Sequence, residues 1–190
     1  MTVAGASAPG GASTTPSNVP QAPPLPARRS AAWNIGFRVF YRGLRLMDPM
    51  IRSWLAAGSP GLDGVIQLRY VGRRSGLPRQ TLVTLLTVGD QWYVGHPNGS
   101  AAWVRNIEAA GVVDIVPPGV HGSHFAVRRL RPGPERDAVI RATWTQQPFP
   151  GRLVYRAARR HVAAVGVYHR LEPIPADTEG TPAASPQGAQ

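Results

Sequence analysis

The stretch Val71-Gly72-Arg73-Arg74-Ser75-Gly76-Leu77-Pro78-Arg79 lies between two apolar, β-prone runs, Val65–Val71 before it and Thr81–Val88 after it. That arrangement predicts a tight strand-to-strand turn carrying three guanidiniums, a hydroxyl and two glycines. Glycine lets a backbone adopt positive φ and approach a ligand closely. Arginine grips phosphate and carboxylate oxygens as a rigid, permanently charged fork. The turn suits the anionic tail of a cofactor; the same residues also suit a solvated basic hairpin.

The rest of the composition agrees in sign. All 21 basic residues are arginine, against 10 acids, for a formal charge of +11 over 190 residues. Such an excess implies an anionic partner: nucleic acid, an acidic membrane or a polyanionic cofactor. Cysteine is absent, which excludes disulfides and thiolate metal sites. No apolar run is long enough to span a bilayer, and no secretory pattern opens the chain, so a cytoplasmic location is expected. The segments 1–27 and 173–190 are rich in Pro, Ala, Ser and Gly and are expected to be disordered tails. The folded domain is expected over 28–172.

Ala31–Met47 has Trp33, Phe37, Phe40, Leu44 and Met47 on one helical face and Arg38, Arg42 and Arg45 opposite. Asp48-Pro49 reads as a helix restart and Gly58 as its stop. Strands are expected at Val65–Val71, Gln80–Val88 and Gln91–Gly95, the last two joined by a Gly89-Asp90 hairpin. Ser100 suits the N-cap of a short helix over Ala101–Ala110, stopped by Gly111. Strands at Val112–Val116 and His124–Leu130 flank a turn at Pro117–Gly122. Helices are expected over Gly133–Gln147 and Gly151–Ala163, and a final strand over Val165–Leu171. Short connections between strands favour antiparallel pairing. The fold class is α+β: about six strands forming a small, mainly antiparallel barrel with peripheral helices.

This arrangement resembles the deazaflavin-dependent nitroreductase family of actinobacteria, split β-barrel proteins related to flavin-mononucleotide oxidases. The resemblance covers about Ala31–Pro173. Gly72-Arg73-Arg74-Ser75-Gly76-Leu77-Pro78-Arg79 is similar to the family's Gly-Arg-Lys-Ser/Thr-Gly-x-Pro-Arg turn. Asn98-Gly99-Ser100-Ala101-Ala102-Trp103-Val104-Arg105-Asn106-Ile107 is similar to its loop and helix ending in Trp-x-x-Asn-Leu. The resemblance implies coenzyme F420, a deazaflavin with a phosphate and a polyglutamate tail, with FMN as the alternative. It implies hydride transfer to an electron-poor small molecule such as a quinone or nitroaromatic. It also implies that Arg73, Arg74, Ser75 and Gly76 grip the phosphate region and that Arg79 and Thr81 continue that wall. His96, Asn98, Gly99 and Ser100 would sit beside the ring, with Trp103 and Asn106 supporting it from the short helix.

The chain departs from the family pattern in three places. The segment between His96 and Trp103 is shorter, only Tyr155 and Tyr168 stand where acceptor-pocket tyrosines are expected, and Arg160–Ala164 lacks the usual Arg-x-Ile-Pro. A differently loaded barrel holding flavin, a tetrapyrrole or a lipid is the competing reading. His121 and His124 read as turn histidines rather than zinc ligands. His96 is a candidate proton donor, since an ordinary imidazole titrates near neutrality. Trp33, Trp54 and Trp144 read as core. No acid–base pair suggests hydrolase chemistry, and no nucleic-acid-binding motif accompanies the basic charge. The first helix, Ala31–Met47, suits either an anionic membrane surface or a cover for the barrel.

Overall fold

The computed structural model describes residues 22–56, 64–99, 101–116 and 123–174. The expected tails over 1–21 and 175–190, the stop at Gly58, the N-cap Ser100 and the turn at Pro117–Gly122 with His121 lie outside them. The described elements run α1 (Ala31–Ala56), β1 (Val65–Val71), β2 (Pro78–Thr84), β3 (Leu86–Val88), β4 (Gln91–His96), α2 (Ala102–Ala110), β5 (Val112–Val116), β6 (Ser123–Arg129), α3 (Pro134–Gln146), α4 (Gly151–Ala157), α5 (Arg159–Val165) and β7 (Val167–Pro173).

All strand pairs are antiparallel, in a seven-stranded sheet of order β2-β1-β5-β6-β7-β4-β3. β2 and β3 stand at opposite edges of this sheet, yet only Leu85 separates them in sequence. The sheet must therefore curl until its edges are neighbours. This is the split β-barrel, with seven strands instead of six. The run read as one strand, Gln80–Val88, is two because the chain changes partner at Leu85: β2 pairs with β1, β3 with β4. At the switch the Leu85 N–H donates to the Gly64 carbonyl at 2.7 Å.

Strand alternation sorts the side chains into two clusters. Ile66, Leu68, Val83, Val94, Ile115 and Leu171 point inward and, with Ile107 from α2, fill the barrel. Leu86, Tyr93 and Tyr168 point outward and are covered by Phe37 of α1, Val139 and Ile140 of α3, and Tyr155 and Val162 of α4 and α5. Gly95 is small for a reason: a Cβ there would fall 2.1 Å from the ring of Tyr168 on the neighbouring strand.

The helices depart from expectation at their joints. α1 runs unbroken through Pro49, which is exposed. Proline removes one backbone bond from a helix, and on an exposed face water satisfies the freed carbonyl. The run Gly151–Ala163 is broken at Ala158, which is fully buried against the outer cluster. β7 starts at Val167 and carries order to Pro173. Residues 22–27, assigned to the tail from composition, lie along the domain: Leu25 packs on the outer cluster and its N–H donates to Asp137 Oδ2 at 3.1 Å.

α1 covers the barrel with one face only. Phe37 is 0% exposed, and Trp33 and Tyr41 pack beside it, while Met47, expected on the same face, is exposed. Ile35, Val39, Leu46 and Met50 lie on the outward side, Leu46 at 82% exposure. Phe37→Ala is expected to cost about 3–5 kcal/mol through a core cavity, and Leu46→Ala less than about 0.5 kcal/mol as an exposed site. Urea unfolding of the two variants checks this; equal losses would mean that α1 packs by its other face.

Candidate functional site

The strand pairings bring six strand ends to one rim of the barrel. Val71 ends β1 beside Pro78 of β2, β5 begins at Val112, β6 ends at Arg129 opposite His169, and His96 ends β4 opposite Val167. The arginine turn, the His96–Gly99 loop and α2 all belong to this rim. The remaining question is how they meet.

The turn is built by its glycines. Gly72 and Leu77 exchange the closing bond, N–H to carbonyl at 2.9 Å, and Gly76 N–H donates to the Gly72 carbonyl at 2.8 Å. Gly76 sits at φ +65°, and a Cβ on Gly72 would fall 2.8 Å from Ser75 Oγ. Ser75 Oγ itself accepts from Leu77 N–H at 3.3 Å. Arg73, Arg74, Ser75, Gly76 and Arg79 are exposed and Thr81 is half-buried. Among the described residues no carboxylate pairs with Arg73, Arg74 or Arg79. Three unneutralised guanidiniums around a turn shaped by glycine form a cradle that fits a phosphate or carboxylate ligand.

The loop at the other side of the rim is tied down by α1. His96 is 8% exposed, its ring 4.6 Å from that of Tyr41 and 6.2 Å from that of Trp103. Asn98 donates its side-chain N–H to Asn34 Oδ1 at 2.6 Å and its backbone N–H to His96 Nδ1 at 3.2 Å. Gly99, at φ +63°, passes so close to the Val165 carbonyl that a Cβ would stand 2.6 Å from it. Asn98 and Gly99 thus hold the loop against α1 and the α5–β7 connection.

α2 bridges the two groups. Trp103 at its start reaches His96, and Asn106, one turn on, lies against Tyr70, the register partner of Arg79. Gly111 ends the helix at φ +71°, as expected; the start lacks the expected cap, since Ala101 holds that position without a side-chain bond. Tyr70 was not singled out from sequence. The signal was present, because Ile66, Leu68 and Tyr70 alternate onto the inward face and Tyr70 comes last, at the rim. Asn34 and Tyr41 had no such signal, since only tertiary packing brings α1 to the loop.

Burial pushes the His96 pKa down to about 4, and the bond from Asn98 leaves the neutral ring's proton on Nε2. Tyr155 and Tyr168 do not shape an open pocket; both are buried in the outer cluster, and the Tyr155 hydroxyl lies 2.7 Å from that of Tyr41. That burial pushes the Tyr41 hydroxyl up to about 12. His124 stands near the start of β6, with Asp114 Oδ1 2.6 Å from its ring across the β5–β6 pair. Among the described residues no cluster of three metal-ligating side chains occurs.

An imidazole held at about 4 when folded, against an ordinary value near 6.5, leaves the unfolded chain binding the extra proton between those values. Stability therefore falls as pH drops through that window, by roughly 1.4 kcal/mol per pH unit for this group. His96→Gln should lose about 2 kcal/mol less than the parent between pH 7 and 4.5 in urea unfolding. Identical acid losses would show that His96 titrates normally.

Solved structures with split-barrel folds are similar at low identity. An F420-H2 dependent reductase, FDR-A, is 16% identical over 58% of this chain and 95% of its own, with TM-score 0.46. HutZ, the heme storage protein of Vibrio cholerae, is 14% identical over 68% and 91%, with TM-score 0.45. A pyridoxamine 5'-phosphate oxidase-related FMN-binding protein of Nostoc punctiforme is 13% identical over 67% and 79%, with TM-score 0.43. The comparison with curated proteins returns no match. The model of the F420H(2)-dependent quinone reductase family matches residues 45–150, a span that holds the arginine turn, the His96 loop and α2. The chain belongs to the F420H2-dependent quinone reductase family, whose cofactor is coenzyme F420.

Proposed function

We propose that this protein reduces a quinone or a similarly electron-poor small molecule with reduced F420. The observation that carries the reading is the turn Gly72–Arg79, with its three guanidiniums free of acid partners among the described residues and its two constrained glycines. Arg73, Arg74, Ser75 and Gly76 would hold the cofactor's phosphate, with Arg79 and Thr81 continuing the wall. His96, Asn98, Gly99 and Ser100 would border the ring, and Trp103 and Asn106 would support it from α2. When bound, reduced F420 supplies the hydride, so the protein's part is to bind, orient and exclude water. Trp103 presents an apolar ring beside the neutral His96, and the Nε2–H of His96 is a hydrogen-bond donor, not an acid. The barrel interior is filled by its own side chains, which favours a ligand at the rim over one inside.

A quinone acceptor gives the outward side of α1 a use. The face expected to meet a membrane holds Phe37 and is spent on the barrel, but Ile35, Val39, Leu46 and Met50 form an exposed stripe with Arg38 and Arg42 at its edge. An apolar stripe edged by arginine suits the surface of an anionic bilayer, where such acceptors partition. Among the described residues no helix is long and apolar enough to cross a membrane.

F420 should bind more tightly than FMN, and Arg73→Ala should weaken F420 binding about tenfold or more, since a charge-assisted bond is worth about 1.5–3 kcal/mol. Isothermal titration checks both; equal affinity for the two cofactors counts against the cradle. In sedimentation with phosphatidylglycerol vesicles the protein should pellet, and Val39→Asp with Leu46→Asp should release it. Protein that stays in the supernatant at low salt would leave the stripe without this role.

A further inference from the structure

A cationic concavity lies on the rim, on the α1 side of the His96–Gly99 loop. It is an open groove of about 1580 Å³ between the segment 22–31, α1, the β6–α3 connection and the α5–β7 connection. Arg29, Arg38, Arg129, Arg131 and Arg136 reach it from separate parts of the chain, against a single acid, Asp137. That acid is engaged: its Oδ2 accepts the Leu25 N–H. Arg136 is held in place by donating to the carbonyls of Ala163 and Gly166, at 2.9 and 2.8 Å. Arg129 pairs with Glu108 at 3.2 Å. Arg29, Arg38 and Arg131 have no acid partner among the described residues.

His161 lines the groove and is 3% exposed. Its Nδ1 accepts the Ser30 N–H at 3.1 Å, so the proton of the neutral ring sits on Nε2, and that atom is buried without a partner among the described residues. Guanidiniums without carboxylates along one groove are the complement of an anion. The groove is itself held open by side chains, because the segment forming one wall is fastened through Asp137, His161 and the Arg160 carbonyl, which accepts from Arg28 N–H at 2.9 Å.

We infer that this groove is a binding site for a small polyanion, a ligand carrying two or more phosphate or carboxylate groups, separate from the Gly72–Arg79 turn. The two places are divided by α2 and draw on different arginines, so the site stands or falls independently of the cofactor assignment. Asn98 and Gly99 contribute to the groove wall as well as to the loop that would border the ring. A ligand here therefore touches the back of that loop.

The test is isothermal titration of the full chain carrying Arg73→Ala and Arg74→Ala, which disables the turn, with inorganic tripolyphosphate in one arm and tetraglutamate peptide in the other. Saturable one-to-one binding is expected in at least one arm, weakening with salt. Arg38→Gln with Arg131→Gln should reduce that affinity at least tenfold, because two charge-assisted contacts are lost. In the same background, Arg152→Gln with Arg156→Gln on exposed α4 should leave it within twofold. Stronger binding of tripolyphosphate makes the natural ligand a phosphate ester, and stronger binding of the peptide makes it a polycarboxylate. No saturable binding in either arm, or equal losses from the groove pair and the α4 pair, would overturn the site and reduce the groove to general basic charge.

Discussion

Leu85 is the only residue between two strands that stand at opposite edges of the same sheet. A flat sheet of seven strands, spaced about 4.8 Å apart, would hold those edges far beyond the reach of one residue. The sheet must curl, and nearly everything else follows. Curling gives it an inside, which strand alternation fills with Ile66, Leu68, Val83, Val94 and Leu171, and an outside that needs a cover. α1, α3, α4 and α5 supply the cover, and Gly95 leaves room for Tyr168 beneath it.

The same constraint creates the site. Antiparallel pairing sends alternate connections to opposite rims, and the curl gathers one set of them into a ring: the arginine turn, the His96 loop, the β6–α3 connection and the α5–β7 connection. α2 crosses this rim with Val104 and Ile107 buried, leaving Trp103 and Asn106 to face the two loops. The filled interior and the loop-bearing rim divide the labour. The first provides rigidity and the second provides polar groups that could not be buried without partners.

Charge is the second constraint. With arginine as the only strong base, each cationic position is a planar fork that stays charged even where it is partly buried, as Arg136 is. The arginine turn and one rim groove carry such forks with few acids to neutralise them among the described residues. The buried histidines respond oppositely. His96, His161 and His169 are all held below their ordinary pKa by burial, so these three add little to the positive field that the arginines set at neutral pH.

Local sequence settled the elements that depend on local chemistry. Gly76 marks a turn because it adopts positive φ and Gly72 because a Cβ there would crowd Ser75, Gly111 ends α2 because it adopts positive φ, and the alternation in Val65–Val71 marks a strand with one face inward. The arginine turn and the Trp103–Asn106 helix were legible for the same reason, as short runs whose residues act together without help from elsewhere. Tertiary structure decided what depends on distant partners. The apparent single strand Gln80–Val88 divides at Leu85 because its halves pair with different strands. The helix after Gly151 breaks at Ala158 because that residue is buried against the outer cluster, and α1 passes Pro49 because its exposed face tolerates a lost bond. The role of His96 turned on Tyr41 and Asn98, which bury it and orient its ring. A sequence records the identity of a titratable group, but only the folded chain determines how much water that group retains.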